Sequence, residues 1–221
     1  MPSFHDFRFL STDGKHNVFA RECTPDGEVR AVLQIAHGVA EHIYRYAPFM
    51  EFLAENGFVV VANDHLGHGK TAENEQELCF FAEKDGWNDV VSDMDTLHKL
   101  TAAKYPGVPY FLFGHSMGSF LTRTYIIDHP EGLKGVVISG TGQNPGAVVA
   151  AGKLMAKLEM IDNGPMYHSP TLDKLAFGSY NKKYDHVRTK LDWLTRDEAV
   201  VDAYIADPLC GAMATAGMFH D

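Results

Sequence analysis

Apolar and polar positions fall into blocks along this chain, and the period of each block names the element it builds. Phe4 to Leu10 and Val18 to Cys23 read as strands folded about Asp13-Gly14, and Pro25-Asp26-Gly27 marks the next reversal, so a β-hairpin is expected first. Ala31 to Ala36, Phe58 to Ala62, Tyr110 to Phe113 and Leu133 to Ser139 are continuous apolar runs, the pattern of strands buried on both faces of a parallel sheet. Helical spacing fills the gaps. Pro48 to Asn56 stops at Gly57, and Trp87, Val90, Val91, Met94, Leu97 and Thr101 trace one face of a longer helix. Phe120, Leu121, Thr124, Tyr125 and Ile127 recur near helical spacing over roughly Met117 to Asp128, and Pro130 then stops the helix. Strands alternating with helices predict an α/β fold, a mostly parallel doubly wound sheet with helices on both faces.

Beyond Gly140 the composition shifts, and no convincing core strand is found from about Thr141 to Leu209. The domains expected are an α/β core over 1–140, a helical cap over 141–209, and the start of a return to the core over 210–221. In the cap, Val148, Met155, Leu158 and Ile161 fall near one stripe, with Lys153 and Lys157 away from it. Ser169-Pro170 suits a helix start, and Thr195-Arg196-Asp197-Glu198 reads as a capping box leading into Val200, Val201, Tyr204 and Ile205. Such stripes pack against their own domain more often than against lipid; transient membrane or micelle contact through the cap is the other reading.

Composition narrows the classes. With 221 residues, 45% hydrophobic and 22% charged, the chain is long and apolar enough for one compact domain. A formal charge of −10 argues against nucleic acid and against electrostatic attachment to anionic membranes. Cys23, Cys79 and Cys210 are odd in number and widely spaced, which suits free thiols in a reducing compartment. The N-terminal residues lack an apolar signal core and no run approaches a membrane span, so a cytoplasmic address is expected.

Candidate chemistry centres on Gly114-His115-Ser116-Met117-Gly118, between an aromatic-rich strand and a helix. The spelling Gly-x-Ser-x-Gly alone arises by chance in roughly one chain in fifteen of this size, so its strand-to-helix setting carries the weight. A serine at the apex of such a turn is forced into a strained conformation that pushes its hydroxyl out of the sheet, and the helix start aims N–H groups at the place where an oxyanion forms. In this elbow architecture one oxyanion donor is the amide after the nucleophile, here Met117. The other comes from the loop after the third strand, here assigned to Val39, with Gly38 allowing close backbone approach.

Asp64-His65-Leu66-Gly67-His68, with His37 and His42 on a neighbouring loop, raises a metal hypothesis. His65 and His68 miss the i, i+4 spacing of a helical metal face, and no Cys or Glu completes a set. A glycine-rich turn whose imidazoles donate to neighbouring carbonyls is favoured, and no metal and no cofactor are expected. His115 is read as packing beside the nucleophile, where it also borders substrate, rather than as the base.

Three ordered motifs, His37 to Tyr46, Asp64 to Gly69 and Gly114 to Ser119, make the chain resemble the monoacylglycerol lipase and lysophospholipase branch of the α/β hydrolases from about Phe7 to the last residue. The resemblance implies hydrolysis of a carboxylic ester on a single-chain lipid through an acyl-enzyme on Ser116, with the cap as a lid. It also implies that Glu41 and Arg45 lie near the head-group end of the pocket; a local surface ion pair is the competing reading of the same two residues.

Chain order in this architecture is Ser, then Asp or Glu, then His on loops after the seventh and eighth strands, and only six strands are legible. Asp128 and His129 close the far end of the elbow helix, about 16 Å from the serine at helical rise. His168, His186 and His220 are not assigned as the base either. The expectation is an amino-terminal portion of a longer enzyme, with both triad partners outside this chain; the alternative is a non-catalytic binding protein that keeps the pocket.

Overall fold

The structure is a computed structural model and describes residues 1–221. The opening hairpin pairs β1 (Ser3–Leu10) with β2 (Asn17–Thr24), in register from Ser3 opposite Thr24 to Leu10 opposite Asn17. Then follow β3 (Ala31–Ala36), α1 (Ala47–Glu55), β4 (Phe58–Asn63), α2 (Gly86–Lys104), β5 (Tyr110–His115), α3 (Met117–Asp128) and β6 (Leu133–Ser139). The sheet order is β1-β2-β4-β3-β5-β6, with β2 antiparallel to β4 and every contact from β4 to β6 parallel. The expected α/β class and all six strands are present.

Side chains of β3 explain the two layers, because a strand presents alternate residues to opposite faces. Leu33 and Ile35 meet Met50 and Ala54 of α1 on one face, while Ala36 joins Met94 of α2 and Leu121 of α3 on the other. Each fully buried aliphatic side chain contributes about 1.5–3 kcal/mol relative to exposure. With six strands, β6 is the apolar edge expected of the sixth: its neighbour is β5 alone, and Val137 is 51% and Ile138 37% exposed, so its apolar run is not buried on both faces as the inner strands are.

The segment after β6 contains α4 (Gly146–Asn163), α5 (Pro170–Phe177), α6 (Glu198–Ala206) and α7 (Ala216–His220), and no strand. Ser169 caps α5 through Leu172 N–H, as its Ser-Pro start implies. The expected capping box of α6 is corrected: Asp197 is the N-cap and accepts from Ala199 N–H at 3.0 Å, whereas Thr195 stands outside the helix. The Asp side chain, directly preceding the first turn, reaches an amide that Thr195 cannot.

The α4 stripe is a second correction. Val148, Met155, Leu158 and Ile161 face outward, with Ile161 72% exposed, and α4 buries Ala156 instead, against Leu172 and Ala216. The small residue wins because it lets α4 lie close against α7, with Met160 and Phe219 packed around the contact.

Candidate functional site

The parallel strands β3 and β5 lie side by side, so the loops leaving their carboxyl ends meet. Ser116 stands at that meeting point with φ 52° and ψ −118°, a region L-residues avoid, and its own N–H donates to Ser139 O at 2.9 Å. The close packing beneath it requires glycine: a Cβ at Gly118 would fall 2.0 Å from Ala36 O. Helix α3 therefore starts hard against β3, and Ser119 Oγ ties its first turn by donating to Ser116 O at 2.5 Å.

The Ser116 hydroxyl is neither buried nor bonded: the residue is half-buried, and its oxygen makes no hydrogen bond within the chain. Gly38 runs alongside it, so near that a Cβ there would lie 3.2 Å from Ser116 Cβ. Two amides are uncommitted beside it. Met117 opens α3, where no residue four positions back can accept and no side chain caps the helix. Val39 N–H, on the loop after β3, has no acceptor in the chain.

The loop carrying Val39 is held at both of its other polar ends. Gly38 N–H donates to Glu41 Oε1 at 2.6 Å, and Tyr46 hydroxyl donates to the same oxygen at 2.7 Å. Arg45 pairs with Glu41 Oε2. Glu41 is 5% exposed, so the surface ion-pair reading is corrected: the pair is real, but its carboxylate is an internal anchor of the loop after β3. Ala40, at φ 54°, presents its carbonyl outward to Gly211 N–H at 2.9 Å and to the Tyr204 hydroxyl at 2.6 Å.

Beneath the loop lie the buried imidazoles. His65 N–H donates to His37 Nε2 at 3.0 Å, which leaves the His37 proton on Nδ1, 2.7 Å from Gly38 O. His68 Nδ1 lies 2.9 Å from Leu66 O. Burial pushes His37 and His68 down to about 3, and pushes His65 well below its usual range, so all three rings are neutral props. Asp64 accepts from Ile43 and Lys70 N–H at 2.8 Å each and so fastens the two loops together. Burial outweighs those bonds and pushes its carboxyl up to about 6.

The structure thus brings Gly38, Val39, Glu41, Arg45, Ser116 and Met117 to one place. His115 is half-buried beside them, its Nδ1 3.4 Å from Ser139 Oγ. Asp128 and His129 are at the far end of α3, where His129 Nδ1 lies 3.7 Å from Asp95. His168 Nδ1 lies 2.6 Å from Met213 O. Two clefts of about 350 and 470 Å³ lie elsewhere, and neither borders Ser116. Sequence reasoning missed Tyr204, Asp64 and Tyr46 as supports of the loop. Tyr204 reads from sequence as one more apolar member of its helix, and no local signal marks a hydroxyl bound 164 residues away.

A family model described as "Serine aminopeptidase, S33" matches residues 27–221. The chain is 31% identical over 191 residues, 84% of its length, to the monoacylglycerol lipase of Mycolicibacterium smegmatis, and 29% identical over 202 residues, 90% of its length, to the mouse monoglyceride lipase. It spans 58% of the length of each of these curated relatives. A solved carboxyl esterase from Bacillus coagulans, in complex with glycerol, superposes on 99% of this chain and 71% of its own, with a TM-score of 0.88 and 30% identity.

Proposed function

The chain belongs to the α/β-hydrolase family described as serine aminopeptidase, S33, and from that membership we propose that Ser116 is the nucleophile of a carboxylic ester hydrolase acting on single-chain lipid esters. The observation that carries this reading is the strained, solvent-reachable Ser116 hydroxyl beside the two free amides of Val39 and Met117. Attack by Ser116 Oγ on the ester carbonyl would place negative charge on the carbonyl oxygen, where preorganised donors lower the barrier; removing one such donor typically costs about 10²–10³ in rate. The proton of Ser116 passes through a general base to the leaving alcohol as the ester C–O bond breaks, and water then cleaves the acyl-serine ester and returns a proton to Ser116 Oγ. The names of the relatives support the ester and the monoacylglycerol class over an amide.

Glu41 and Arg45 border the place where a polar head group would sit, with Gly38 and His115 beside it. The outward apolar face of α4, with Val148 58%, Leu154 60% and Leu158 55% exposed, supports contact with a micelle or membrane during substrate uptake. No helix is long and apolar enough to cross a membrane. Three unpaired cysteines support a reducing, cytoplasmic setting.

A second reading has one observation in its favour: none of the twelve imidazoles hydrogen-bonds Ser116, so a relay to a base is not built within these residues. A fluorophosphonate probe separates the two. Labelling that disappears in Ser116→Ala supports the hydrolase, and absence of labelling in correctly folded protein supports a binding protein that keeps the pocket. A panel of monoacylglycerols, lysophospholipids and short p-nitrophenyl esters then ranks the substrate classes.

A further inference from the structure

His42, Asp207 and Cys210 meet where the oxyanion loop touches the turn after α6, and one ligand atom from each lies within 4.8 Å of the other two. The turn Asp207-Pro208-Leu209-Cys210 is closed by Cys210 N–H donating to Asp207 O at 3.0 Å, which brings both side chains to one side. Leu209 N–H donates to Asp207 Oδ1 at 2.9 Å and fixes the carboxylate, whose Oδ2 lies 2.8 Å from His42 Nε2. His42 is 5% exposed, and its Nδ1 is buried without any partner. Cys210 is a half-buried free thiol.

The charges around the cluster favour a cation. The Asp207, Glu41 and Asp64 carboxylates act on the Cys210 sulfur against a single opposing guanidinium, that of Arg45. Three carboxylates facing one guanidinium leave the cavity anionic when it holds only protons. The donor types are selective as well. Sulfur, imidazole nitrogen and one carboxylate oxygen suit a borderline transition ion, whereas magnesium and calcium take oxygen sets.

We propose that His42, Asp207 and Cys210 form a site for one zinc-class divalent cation, which fastens the turn after α6 to the oxyanion loop. Three protein ligands leave the fourth tetrahedral position to water, and half-exposed Asp207 gives the ion its entry. Tetrahedral ligand bonds of about 2.0–2.3 Å place the donor atoms roughly 3.3–3.6 Å apart, so the His42 to Asp207 contact opens by roughly 0.5 Å and the Cys210 sulfur, within 4.8 Å of both, closes in by up to about 1.2 Å. On binding, the metal–sulfur bond replaces the S–H bond and that proton goes to solvent. The His42 Nε2 proton passes to the unpartnered Nδ1, and nothing is oxidised or reduced.

Titration of the reduced, metal-free chain with cobalt(II) tests the site. The expected result is a thiolate-to-cobalt charge-transfer band that saturates at one ion per chain, is displaced by zinc and is not displaced by magnesium. Cys210→Ser should abolish the band, and Asp207→Asn should weaken cobalt binding by at least about tenfold, each with unchanged far-ultraviolet circular dichroism. Zinc should also raise the melting temperature of the unmodified chain and leave that of Cys210→Ser unmoved. No band in the unmodified chain, or a band that survives Cys210→Ser and so belongs to Cys23 or Cys79, overturns the proposal. If Cys210→Ser does not fold, cobalt affinity undiminished in Asp207→Asn overturns it equally. None of these readouts uses esterase activity, so the metal site stands or falls apart from the ester hydrolase reading.

Discussion

The Tyr204 hydroxyl donates to the Ala40 carbonyl at 2.6 Å, so a side chain of α6 holds the loop that carries the Val39 amide. Arg45 lies over the same tyrosine ring, 4.7 Å from its centroid, while pairing with Glu41. The placement of the Val39 amide and the docking of α6 are therefore one structural fact.

Tyr204→Phe removes one hydrogen bond from a buried carbonyl that keeps Gly211 N–H as its other donor. The expected loss of stability is about 1 kcal/mol, with slower fluorophosphonate labelling of Ser116. Urea unfolding read alongside the labelling rate checks both, and an unchanged rate at lowered stability would mean that the contact only docks α6.

Glu41→Gln replaces a carboxylate that serves Gly38 N–H, Tyr46 and Arg45 with an amide that can satisfy only part of the set. Hydrogen bonds to charged groups contribute about 1.5–3 kcal/mol, and a loss in that range is expected. A denaturation midpoint equal to that of the unmodified chain would contradict the anchoring role.

Ser116→Gly should stabilise the protein. The backbone at φ 52°, ψ −118° is the mirror image of ordinary extended chain, open to glycine but costing other residues about 1–3 kcal/mol. Glycine gives back about 0.5–1 kcal/mol in unfolded-state entropy, so a net gain near 1 kcal/mol is expected. Ser116→Ala keeps the strain and should leave the midpoint nearly unmoved; equal midpoints for the two variants would remove the strain from consideration.

Acid should destabilise the fold through its neutral histidines. His37 and His68 are pushed to about 3, and His65 well below 6.5, so below pH 6.5 the unfolded chain takes up protons that the fold refuses. Burial pushes Asp64 and Asp93 up to about 6 and raises Asp89, Asp173 and Asp221 as well, so below about 6 the fold holds protons that the unfolded chain releases; these shifts are smaller than those of His37 and His68, and the lowered His98 adds to the histidine side. Stability should therefore fall as pH drops from 6.5, and His68→Gln should flatten that slope. A midpoint that rises toward acid would reverse the assignment.

Much of the fold was legible in the sequence because it rests on neighbours. Ala31–Ala36 and Leu133–Ser139 fall where apolar runs begin and end, and Met117–Asp128 starts where Gly118 permits and stops before Pro130. The elbow was legible for the same reason: its geometry is set by five consecutive residues. The sequence misled where an apolar residue could face either way. Val148 and Leu158 look like core positions of α4, but Ala156 took the contact because α7 packs closely there.

By itself, then, the sequence determined the strands of the sheet, the limits of the elbow helix and the strained turn at Ser116, all governed by local sterics and periodicity. Tertiary structure alone decided that Glu41 turns inward to hold Gly38, that His42 meets Asp207 and Cys210, and that Tyr204 closes on Ala40. These partners lie up to 168 residues apart in the chain (His42 to Cys210), and a polar group buried by packing bonds to whatever the packing brings beside it.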